Sequence, residues 1–173
     1  MIFLAAGLGS LLLQGALSRY LPPAAVPDFA LLVVVGAGLH FTAARGMLVS
    51  TAIGFAADWL SGALLGQQAL LRLVIFGVTR AANRRLHLRR PLPLGIFAAA
   101  ATAANGTLLL GLSHLFQSGG VGVTPEWMLT LAVQALANAA CAPWLLRRLA
   151  HWAAPRASFS RRVLKLVATG RGA

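Results

Sequence analysis

Hydrophobic positions fall into six runs along the chain, and each carries its few polar or small residues at helical spacing. The first runs from Met1 to about Tyr20, with Gly7, Ser10, Gln14 and Ser18 as one stripe, and Leu21-Pro22-Pro23 ends it. The second opens at Pro27-Asp28, where proline suits a first helical turn and an anion meets the positive end of the helix. It lasts to about Ala44, with Arg45-Gly46 as a closing turn, and it carries Gly36 and His40 on one face. The third, Met47 to about Gly62, aligns Ser50, Gly54, Asp58 and Ser61. The fourth, Gly66 to about Asn83, answers with Gln68, Arg72, Thr79 and Asn83. The fifth spans about Leu94 to Gln117, with Thr102, Asn105, Gly106 and Ser113. The sixth spans Glu126 to about Leu149, with Thr130, Gln134, Asn138 and Cys141. Thr124 is placed to cap the sixth helix, and Pro143-Trp144 to bend it near its far end.

These runs predict an all-α integral membrane protein, a bundle of six transmembrane helices over residues 1–150. A cleaved signal peptide is the rival reading of the first run, but its start has no Lys or Arg and its apolar stretch is long, which favours a retained helix. Residues 151–173 form a basic tail. In it Phe159, Val163, Leu166 and Val167 recur at helical spacing among Arg161, Arg162 and Lys165, so it reads either as an interfacial helix on anionic lipid or as a disordered extension.

Composition agrees with a membrane setting. The 173 residues are 58% hydrophobic and 10% charged, and mean hydropathy is +0.78. Fifteen Lys and Arg stand against three Asp and Glu, for a net charge of +12. The cations lie between and after the apolar runs, which is what the positive-inside rule produces and what argues against nucleic-acid binding. With six crossings, Arg45, the Arg80 to Arg90 cluster and the Arg147 to Arg171 tail share one side, which predicts both termini in the cytoplasm. A single cysteine excludes an internal disulfide, and no catalytic arrangement, cofactor motif or metal-ligand spacing is seen.

The richest stretch is Gly54-x-x-x-Asp58-Trp59-Leu60-Ser61-Gly62-x-x-Leu65-Gly66. It reads as the end of one helix, a tight outward turn and the start of the next. A buried carboxylate in lipid calls for a partner. Asp58 lies about 6 Å from the turn and Arg72, returning, about 9 Å, at roughly 1.5 Å per residue. The two are therefore expected to pair, as a structural clasp in preference to a proton or ion relay. Ser50, Gly106 and Asn138 are candidates for docking a partner helix, and Arg84, Arg85, Arg89, Arg90, Arg161, Arg162 and Lys165 for contact with lipid or cytoplasmic partners.

The hairpin motif resembles that of the bacterial rod shape-determining protein MreD family. Pro27-Asp28, Arg45-Gly46, Pro125-Glu126, Pro143-Trp144 and Arg147-Arg148 resemble that family in the same order. Helix order and hairpin also resemble the substrate-binding S components of energy-coupling-factor vitamin transporters, which implies an S-component-like fold. The first resemblance implies a non-catalytic scaffold of the elongation machinery in the bacterial inner membrane. It would bind MreC, a single-pass protein with a periplasmic domain, and so link MreB filaments to RodA and its transpeptidase partner in peptidoglycan synthesis. The second implies the alternative, a substrate-binding subunit for small-molecule (vitamin) uptake, whose pocket the polar positions Gln14, Gln134 and Asn138 could line.

Overall fold

The computed structural model describes residues 2–20, 26–62, 65–86, 88, 90–116 and 124–153; the basic tail lies outside them. Six helices follow one another: α1 (Ile2–Leu17), α2 (Phe29–His40), α3 (Ala43–Ser61), α4 (Gln67–Arg85), α5 (Pro91–Phe116) and α6 (Pro125–Ala153).

The bundle is organised around α2. Its sequence is apolar on every side, as befits a helix surrounded by others, and Ala30 to Gly38 are all buried. It packs against each of the other five helices. At 12 residues it is only about 18 Å long, against a hydrocarbon core of about 30 Å. The second run therefore ends earlier than its hydropathy implies. The chain breaks at Phe41-Thr42, and Arg45-Gly46, expected to form the turn, instead lies in the first turns of α3. Gly46 is needed there because any Cβ would collide with the ring of Phe76 on α4. Arg80, expected in a solvated loop, belongs to α4 and reaches back 2.7 Å to donate to the Phe41 carbonyl. This places a cation at the negative end of α2.

Successive helices run antiparallel. Gln14 near the end of α1 donates to the Pro27 carbonyl at 3.0 Å just before α2, and Asp58 near the end of α3 is bonded to the start of α4. One end of the bundle thus collects the ends of α1, α3 and α5 and the starts of α2, α4 and α6. All three carboxylates, Asp28, Asp58 and Glu126, lie there. The opposite end holds Arg45, Arg84, Arg85, Arg90, Arg147 and Arg148.

Radially the polarity is inverted. Ser50, Asp58, Arg72, Thr79, Thr102, Asn105 and Asn138 are buried, while Leu48, Phe55, Trp59, Leu92, Ile96, Leu129 and Leu136 stand exposed. A water-soluble fold would hide those large apolar groups; a lipid-embedded bundle shows them to acyl chains and keeps its hydrogen-bonding groups inside. On length and hydropathy alone, α5 and α6 can each cross a membrane over Pro91–Leu112 and Pro125–His151; Phe3–Leu17 and Phe29–His40 are apolar but shorter. The helix α6 continues unbroken through Pro143. That proline leaves the Ala139 carbonyl without its helical donor, and Gly95 of α5 packs close to this oxygen, where an added Cβ would lie 3.0 Å from it.

Candidate functional site

The α3–α4 hairpin is built from its glycines and its carboxylate. Gly62 ends α3 at φ 64°, and Gly66 opens α4 at φ 97°, both in the left-handed region that glycine alone occupies cheaply. Ser61 Oγ donates to the Asp58 carbonyl at 3.3 Å. Asp58 is fully buried, and its carboxylate accepts from the backbone N–H groups of Gly66 (2.9 Å), Gln68 (2.8 Å) and Ala69 (3.3 Å). One side chain from α3 thus satisfies three of the amides that the start of α4 leaves unpaired. One turn earlier, Gly54 lets α3 lie directly against the Ala69 backbone, where any Cβ would clash.

This corrects the expected Asp58–Arg72 clasp. Equal depth below the turn is not enough, because the two side chains leave their helices in different directions. The positive end of α4 already balances the Asp58 charge. The Arg72 Nη2 donates instead to Asp28 Oδ2 at 2.7 Å, joining α4 to the start of α2 in a buried ion pair. Asp28 Oδ1 also caps α2, accepting from the Leu31 N–H at 2.8 Å, and Gln14 Nε2 lies 3.5 Å from the same oxygen. From the sequence, Asp28 was expected only as an anion at the positive end of the second helix. The shortness of α2 draws it inward instead, to 8% exposure. The signal that could have found it is the uninterrupted apolar character of α2, which marks a central helix whose cap must be buried too.

The short α2 also leaves space above its first turn. A cavity of about 380 Å³ opens there between α4, α5 and α6, lined among others by Asp28, Gln68, Asn105, Gly106, Trp127 and Gln134. Both Gln68 and Asn105 line it, and Gln68 Oε1 and Asn105 Oδ1 are buried without a hydrogen-bond partner among the described residues, two acceptors that the chain leaves unpaired. Of the polar candidates for such a pocket, Gln134 lines it, whereas Gln14 is held at Pro27 and Asn138 lies deeper.

Residues 3–149 match the family of the rod shape-determining protein MreD. The chain belongs to the MreD family. No curated protein and no solved structure matches the chain. MreD proteins are structural, shape-determining proteins of the membrane, and the inverted polarity of this bundle has the same setting.

Within this MreD chain the other expected site residues are distributed as follows. Asn138 is fully buried and donates from Nδ2 to Thr102 Oγ1 at 2.7 Å, and Thr102 in turn donates to the Ala98 carbonyl at 2.8 Å. Ser50 is fully buried within the bundle, and Gly106 is in close contact with Leu131. The small and polar faces of Ser50, Gly106 and Asn138 therefore serve packing between the chain's own helices, and the chain does not present Ser50 or Asn138 to a partner helix. Arg84, Arg85 and Arg90 are exposed at the basic end; Arg89, Arg161, Arg162 and Lys165 lie outside the described residues.

Proposed function

We propose that this chain is a non-catalytic scaffold of the cell-shape machinery, crossing the bacterial inner membrane six times with both termini in the cytoplasm. In this reading it binds MreC and, through it, links MreB filaments to peptidoglycan synthesis by RodA and its transpeptidase partner. Family membership supports the role, and the segregation of carboxylates and arginines to opposite ends supports the orientation. The observation that carries partner binding is the cavity at the acidic end. It faces outward in this orientation, on the side of MreC's periplasmic domain, and two of its lining residues carry acceptors that the chain itself leaves unpaired. Asn105→Leu, which removes such an acceptor without touching the hairpin, is expected to reduce MreC recovered with the tagged chain by about tenfold, a loss of ~1.4 kcal/mol. Recovery equal to wild type would remove the cavity from the interface.

The same cavity supports the second reading, a small-molecule uptake subunit with an S-component-like fold. Purified chain that retains a vitamin through washing, with no MreC, would favour that reading over the scaffold.

A further inference from the structure

At the basic end a second cleft opens between the start of α5 and the last turns of α6. Its volume is about 560 Å³, and Pro91, Trp144, Arg147, Arg148 and His151 are among its walls. The Arg148 guanidinium lies over the Trp144 ring at 5.6 Å from its centre, and the indole is 63% exposed. No Asp or Glu side chain is within reach: all three sit at the other end of the bundle, Glu126 about 30 Å away along α6 itself at 1.5 Å per residue. Whatever neutralises these arginines comes from outside the described chain. The face of α6 that leads to the cleft indicates what that is. Leu129, Val133 and Leu136 are exposed and Ala140 follows them, and the same stripe then continues through Trp144, Arg147 and His151. An exposed apolar track ends at an interfacial tryptophan and then at two cations, the order of acyl chain, glycerol level and phosphate in a phospholipid.

We propose that this cleft is a binding site for one anionic phospholipid, its phosphate held by Arg147 and Arg148 and its acyl chain laid along the Leu129–Val133–Leu136 track. The site differs from the diffuse lipid contact expected at Arg84, Arg85, Arg89 and Arg90, because it has a cavity and an adjoining apolar track. It needs only the membrane setting of the family and is independent of whether the chain binds MreC.

The test uses the full chain in detergent micelles, with phosphatidylglycerol or phosphatidylcholine added and retained lipid read by native mass spectrometry. Wild type is expected to keep one phosphatidylglycerol in preference to phosphatidylcholine. Arg147→Gln/Arg148→Gln should weaken that retention about tenfold, whereas Arg84→Gln/Arg85→Gln, which removes equal charge from the same end, should leave it within twofold. Glycerol phosphate, which has the headgroup but no chain, should fail to displace the lipid. Equal losses in the two double variants would reduce the site to general charge attraction and overturn the proposal. So would retention of both lipids alike, or displacement by glycerol phosphate. A melting temperature unchanged by Arg147→Gln/Arg148→Gln is expected, since both side chains are exposed; a collapse of the fold would place them in packing instead of lipid binding.

Discussion

Arg72→Met is expected to destabilise the bundle by about 3–5 kcal/mol, because it leaves the Asp28 carboxylate buried and unpaired. Most of that loss should return when Asp28→Asn is added. Asparagine still caps α2, since Asn and Asp serve that position about equally well, and the pair becomes a neutral amide beside an apolar side chain. Adding Asp58→Asn to Arg72→Met should give no such recovery, since Asp58 answers to the α4 amides and not to Arg72. Thermal unfolding of the purified chain and its steady-state level in membranes both read this. Recovery by Asp58→Asn and not by Asp28→Asn would reinstate the clasp across the hairpin.

The second large effect belongs to the hairpin itself. Asp58→Ala takes the acceptor from three amides at the start of α4, the buried Ala69 N–H and the partly buried Gly66 and Gln68 N–H groups, at up to about 1–3 kcal/mol each. The total is comparable to the whole stability of many domains, ~5–15 kcal/mol, so the variant should fail to accumulate. Asp58→Asn keeps one acceptor oxygen and should fall between alanine and wild type. Gly54→Val should match Asp58→Ala, because the obstacle is the Ala69 backbone, which cannot turn aside as a side chain would. By contrast, nothing lies near Gly77, so Gly77→Ala on the exposed side of α4 should be tolerated. Normal membrane levels of Asp58→Ala would show that the carboxylate does not hold the hairpin together.

The hairpin was legible in the sequence because its information is local. Gly54, Asp58, Ser61, Gly62 and Gly66 act within a dozen residues, through turn geometry and helix ends that one stretch of chain defines by itself. The Thr124 cap was legible for the same reason, and Thr124 Oγ1 does accept from the Trp127 N–H at 3.2 Å; at α2 Pro27 was expected inside the first turn, whereas the helix starts at Phe29 and Asp28 is its cap. The pairing of Arg72 was not legible, since depth along the membrane normal is only one coordinate. Which helix stands opposite a side chain is set by the packing order of the bundle, and that order follows from the burial of α2. Hydropathy also ran past the break at Phe41-Thr42, because Phe41 and the Ala43-Ala44 start of α3 are themselves apolar. The cavity over α2 was half legible: Gln134 was a candidate for its wall, but that α4, α5 and α6 close around the start of α2 is set by packing order, which no residue within the cavity announces.

The most direct measurement is depletion of this chain in the bacterium that carries it, followed by complementation. The account predicts that cells widen and round into spheres as the protein is lost, that wild type restores rods, and that Arg72→Met restores them only when combined with Asp28→Asn. Cells that keep their rod shape without the chain and instead acquire a vitamin requirement would contradict it.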